Sequence, residues 1–207
     1  MNRIDPKLAA TLRQPRELID AGLAPVDAVA ELEQVAARYA VAVTPELVAL
    51  IDPADPADPI ARQFIPSADE LVEQPGENAD PIGDDARSPV GGIVHRYPDR
   101  VLFKLVHVCA VYCRFCFRRE MVGPGKASAL SDDAYRAGLD YIRSHPEIWE
   151  VILTGGDPLM LSPRRLAEIM ADLAAIDHVK IIRIHSRVPI ADPERINPEM
   201  IDRKSVV

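Results

Sequence analysis

From Val101 onward the sequence alternates short apolar runs with amphipathic stretches, and this alternation constrains the fold more than any other feature. VLFKLV, from Val101, is an apolar run of strand length. Ser131 to His145 predicts a helix, with Ser131 as its N-cap and acids in its first turn. EVILT (150–154) predicts a second strand, Ser162-Pro163 opens a helix running to about Ile176, and KIIRI (180–184) predicts a third strand. Strand–helix–strand–helix–strand with short links packs as a parallel sheet with right-handed crossovers. In barrels of this type, chemistry gathers beyond the C-terminal strand ends. Three polar loops follow those ends: a cysteine loop, then Gly155-Gly156-Asp157-Pro158, then His185-Ser186-Arg187.

The first half of the chain has a different grammar. Residues 1 to about 50 read as short helices: Asp5-Pro6 starts one, Val26 to Tyr39 has apolar residues near helical period, and Thr44-Pro45-Glu46 starts another that ends near Ile51. Asp52 to Pro89 is dense in Pro and Asp. Recurring apolar residues, among them Ile60, Phe64, Leu71 and Ile82, favour an ordered belt of turns over a disordered linker. In DPADPADP each Asp caps a turn and each Pro fixes φ. The expected organisation is a helical and Pro/Asp-rich wrapping region over 1–90 and a partial barrel over 91–207.

All three cysteines fall in HVCAVYCRFCFRRE: Cys109, Cys113 and Cys116. An odd count at one site, with no secretory signal ahead of it, argues against disulfides. Three thiolates are one short of a closed zinc or iron–sulfur site, which suits a cluster with one open iron. His107 lies too near Cys109 for an easy fourth zinc ligand; zinc and ordinary thiols stay as alternatives. The net charge of −8 argues against general nucleic-acid binding. No apolar run has the length of a membrane span, and a cytoplasmic location is expected.

The cysteine loop, together with LIDPADPADPIARQFIPSADEL, DPIGDDARSPVGGIVHRYPDRVLF, LTGGDPL and RIHSRVPIADPERINPEMI, resembles the lysine 2,3-aminomutase family of radical S-adenosylmethionine (SAM) enzymes. The resemblance runs from about residue 35 to about residue 200. It implies the first half of a radical SAM (β/α) partial TIM-like barrel behind an N-terminal helical region. It further implies a [4Fe-4S] cluster on Cys109, Cys113 and Cys116, SAM chelated to the open iron, and pyridoxal phosphate (PLP). Phe115 would pack against the adenine. Gly155, Gly156 and Asp157 would line the methionine end of SAM; a plain tight turn is the alternative. Arg96, Tyr97 and Arg100 would hold PLP; a surface salt-bridge cluster is the alternative. Arg118 would grip the substrate carboxylate.

The implied reaction moves the amino group of lysine, or a related amino acid, from C2 to C3 through a 5′-deoxyadenosyl radical and a PLP imine. An external electron donor and a homo-oligomer at full length go with it. The chain departs from the family in three ways. The family barrel calls for roughly twice the three strand–helix units read here, which points to a truncated and inactive product. Lys104, Lys126, Lys180 and Lys204 do not stand where the family's PLP lysine does, and DRKSVV drifts from the pattern. Phe117 and Glu120 leave open a branch that makes β-lysine for elongation factor P, and a non-catalytic metal-binding fragment remains a further alternative.

Overall fold

The computed structural model describes residues 10–202; the Asp5-Pro6 helix start and all of the DRKSVV tail after Asp202, Lys204 included, lie outside them. The chain divides into two compact units. One runs as far as Pro81 and takes in Ala110–Lys126; the other holds Ile82–Cys109 and resumes at Ala127.

The first unit is helical. Helix α1 (Pro15–Asp20) starts where Glu17 folds back to accept from the backbone N–H groups of Arg13 and Gln14, at 2.6 and 2.9 Å. The segment read as one helix from Val26 is a 3-10 turn (Val26–Ala28) followed by α2 (Val29–Arg38). Tyr39 is already extended, so the helix stops one residue short of the reading. Leu32 and Val35 of α2 are buried, as are Leu18 and Val43. Helices α3 (Pro45–Val48) and α4 (Ala61–Phe64) flank DPADPADP. There each Asp caps its own turn: Asp52 Oδ1 accepts from Ala54 N at 2.9 Å, Asp55 Oδ1 from Ala57 N at 2.8 Å, and Asp58 Oδ1 from Ala61 N at 2.7 Å.

The second unit is a four-stranded sheet in the order β1-β2-β3-β4, formed by β1 (Ile93–Tyr97), β2 (Arg100–Val106), β3 (Glu150–Gly155) and β4 (Ile181–Ile184). β2, β3 and β4 run parallel, as the alternation predicts. Helix α5 (Asp132–Ser144) links β2 to β3, and α6 (Pro163–Ala174) links β3 to β4. Ser131 caps α5 by accepting from Ala134 N at 3.3 Å, and Ser162 caps α6 by accepting from Arg165 N at 3.2 Å. Short helices α7 (Val188–Ala191) and α8 (Pro198–Asp202) follow β4.

The sequence reading missed β1, which pairs antiparallel with β2, Ile93 opposite Phe103 and Tyr97 opposite Arg100. HRYPDR is therefore a hairpin, turning at Pro98-Asp99. Between sheet and helix, the Phe103 ring stacks on Tyr135 at 5.6 Å. Ile142, Leu153, Leu166, Ile169 and Leu173 are almost wholly buried. Among the described residues, no helix is long and apolar enough to cross a membrane.

Candidate functional site

Strand β2 ends at Val106, and two residues later Val108 leads into Cys109. The β3 loop meets this segment closely. Gly156 N donates to the Val106 carbonyl at 2.6 Å, and Asp157 N to the Val108 carbonyl at 2.8 Å. A Cβ on Gly155 would lie 2.3 Å from the Val106 carbonyl oxygen, and one on Gly156 2.3 Å from that of Val108. Gly155 also has φ +123°, which L side chains rarely adopt. Backbone approach alone therefore demands both glycines.

Asp157 is 4% exposed. Its Oδ1 accepts from Leu159 N at 2.9 Å; its Oδ2 accepts from Ser186 Oγ at 2.9 Å, Arg187 N at 2.6 Å and Val188 N at 3.2 Å. The carboxylate thus ties the loop after β3 to the loop after β4, and its acceptor capacity is taken up inside the protein.

Cys113 and Cys116 lie in the helical unit, in a turn closed by Cys116 N donating to the Cys113 carbonyl at 3.2 Å. All three cysteines are partly exposed and none forms a disulfide. Phe115 is 77% exposed and, with Arg114 and Arg119, lines a cleft of about 660 Å³. The Arg118 guanidinium lies 4.5 Å over the Phe117 ring. The sequence reading missed Arg114, which is buried between two cysteines and paired with Glu70 at 2.6 Å. An arginine inside a run of metal-ligand candidates was the available signal.

Arg96, Tyr97 and Arg100 fall at the hairpin turn, at the N-terminal end of β2. The cysteine loop follows the other end, a strand length of about 20 Å away. Arg96 donates to the Ile82 carbonyl and pairs with Asp84 at 3.4 Å. Arg100 grips Asp99 at 3.0 and 2.8 Å and reaches Glu150, 2% exposed, at 3.5 Å. Glu150 also takes Arg183 at 2.7 Å. The bonds from Arg100, then that from Trp149, hold the Asp99 carboxyl well below its ordinary 3.8. Both guanidiniums are engaged with the protein's own carboxylates.

Residues 103–203 match the radical SAM superfamily. Over most of its length the chain is similar to proteins named L-lysine 2,3-aminomutase. That of Clostridium subterminale is 45% identical over 161 residues, which is 78% of this chain and 38% of the relative. That of Methanococcus maripaludis is 40% identical over 173 residues, 83% of this chain and 40% of the relative. That of Escherichia coli K12 is 37% identical over 164 residues, 79% of this chain and 47% of the relative. The chain thus spans less than half the length of each of these relatives.

Superfamily and relatives imply a [4Fe-4S] cluster, SAM and PLP. The donor set fits the cluster: three partly exposed thiols on one loop, while Nδ1 of His107 lies 3.2 Å from the Ala127 carbonyl. Among the described residues, no three His, Cys, Asp or Glu side chains are already gathered around a metal position. Of the PLP candidates, Arg100 has its fork on Asp99 and Glu150, whereas Arg96 commits only Nη2, to the Ile82 carbonyl and Asp84.

Proposed function

We propose that this chain carries the cluster and SAM portion of a radical SAM aminomutase acting on lysine or a close relative. The observation that carries the reading is the three-thiol loop inside the radical SAM match. Cys109, Cys113 and Cys116 would hold the cluster through three thiolates, one ligand short of a closed site. Bound there, a reduced cluster would supply one electron to the sulfonium of SAM and so generate a 5′-deoxyadenosyl radical. Phe115, with its ring in solvent, offers a face for the adenine. The main chain of Gly155 and Gly156 and the backbone of Asp157 border the methionine end; the Asp157 carboxylate acts as a brace rather than a ligand. Arg118 binds the substrate carboxylate as a paired charge. An external one-electron donor and a homo-oligomer belong to the same reading; CRFCFRR favours the elongation factor P branch, whereas HRYPDR and IDPADPADP favour free lysine.

A second reading, a chain that holds the cluster without amino transfer, is favoured by the Arg100 guanidinium, which is spent on Asp99 and Glu150. One experiment separates the two. The chain is reconstituted anaerobically with iron and sulfide, reduced with dithionite, and given SAM, PLP and lysine. The aminomutase reading expects 5′-deoxyadenosine at a rate that rises when lysine and PLP are added. The second reading expects a rate that neither changes. Cys113→Ala should abolish iron uptake; full iron content in that variant would sink the ligand assignment.

A further inference from the structure

Arg114 stands between two of the three thiols, and the proposed chemistry gives it no task. Its side chain is 6% exposed, and every arm of its guanidinium is engaged. Nε and one terminal nitrogen donate to the two oxygens of Glu70 at 2.9 and 2.6 Å; the other terminal nitrogen donates to the Ala40 carbonyl at 2.8 Å. The loop's backbone is held as well. Arg114 N donates to the Gln63 carbonyl at 2.7 Å, and Tyr112 N to the Ala42 carbonyl at 3.1 Å. Glu70 is 13% exposed and draws in a second cation, Arg119, at 3.7 Å. The Arg119 guanidinium lies 4.4 Å over the Tyr39 ring. Residues from Tyr39 to Glu70 therefore grip the cysteine turn on both sides of Cys116.

A buried ion pair contributes little net stability compared with an apolar filling of the same space. What a bidentate fork adds is direction. Residues 112–118 have no helix or strand to hold them, and ordering a free loop costs conformational entropy at each residue. We infer that Arg114 and Glu70 form a clamp that sets the Cys113–Cys116 turn before any metal arrives. They are positioning residues for the cluster, and the inference rests on the cluster reading above. The Glu70 signal in the sequence was only a helix-capping one: its carboxylate also accepts from Ser67 N at 3.1 Å.

The test uses the metal-free chain under reducing conditions. Pulses of iodoacetamide, read by peptide mass spectrometry, give the alkylation rate of each cysteine in the native protein and in Arg114→Met, Arg114→Lys and Glu70→Gln. The clamp expects Cys113 and Cys116 to react roughly tenfold faster in both Arg114→Met and Glu70→Gln, with Cys109 unchanged and Arg114→Lys between. The two substitutions change the local charge in opposite directions. A purely electrostatic effect on the thiols would therefore move the rates oppositely, and that result, like unchanged rates, overturns the clamp. Far-UV circular dichroism controls for folding; if Glu70→Gln does not fold, Arg114→Lys keeps the charge, loses the fork and carries the test. Iron content after reconstitution is measured in parallel. If the native chain takes up no iron, the cluster reading falls, and the clamp falls with it as a cluster device. If it takes up iron and the alkylation rates do not respond, only the clamp is overturned.

Discussion

At Asp157 one carboxylate accepts four hydrogen bonds while almost wholly buried, and three of the donors come from the loop after β4 and the first residue of α7. Asp157→Asn keeps the shape but turns an acceptor into a donor facing other donors. We expect a loss of about 2–3 kcal/mol in urea unfolding, because buried N–H groups lose their charged partner. Unchanged stability would mean the carboxylate does not brace these loops. The residue types of this site were legible in the sequence, since thiols, glycines and arginines announce themselves. Their partners were not. Gly155-Gly156 read as a ligand-facing pair with a tight turn as the alternative, and the close carbonyls of Val106 and Val108 account for both glycines without a ligand. Arg96 and Arg100 read as phosphate donors; Asp99 and Glu150 take up the Arg100 guanidinium, and Asp84 and the Ile82 carbonyl take one nitrogen of Arg96.

At the scale of elements, helix α5 was predicted almost residue for residue, because its cap, acidic first turn and apolar period are local signals. Its one oddity is Gly138 in mid-helix. Alanine there would gain about 1 kcal/mol of helix propensity. However, its Cβ would sit 2.8 Å from the Phe103 ring, and overpacking of that kind costs about 1–3 kcal/mol. Gly138→Ala should therefore lower stability, and Gly138→Ala with Phe103→Leu should recover part of the loss. A thermal midpoint raised by Gly138→Ala alone would refute the packing account. The hairpin strand β1 was missed because HRYPDR drew attention as a set of charges. The signal was present: IVH and VLF flank a Pro-Asp turn.

For the molecule as a whole, shifted ionisations set the pH range of stability. The backbone N–H of Ala61 above all holds Asp58 below its ordinary 3.8, as Arg100 does Asp99. Carboxyls lowered on folding stabilise above their unfolded pKa, and that contribution is lost as pH falls through the lowered values. Tyr135 moves the other way: burial first, then its bond to Asp172 at 2.8 Å, raises it above 10.0. Its contribution is present below 10.0 and is lost as pH rises beyond it. Urea midpoints followed by Trp149, the single tryptophan, should be level near neutrality and fall below about pH 4 and above about pH 10. Asp99→Asn should make the acid limb shallower; an identical limb would contradict the assignment. By itself the sequence determined the strand–helix alternation, the caps, the Asp-Pro turns and the thiol spacing, because each depends on residues within a few positions of one another. Only the tertiary structure decided which guanidiniums are already paired, which backbone approach requires a glycine, and that Arg114 meets Glu70 across 44 residues of chain. Those depend on what folding brings together, which no local period or propensity encodes.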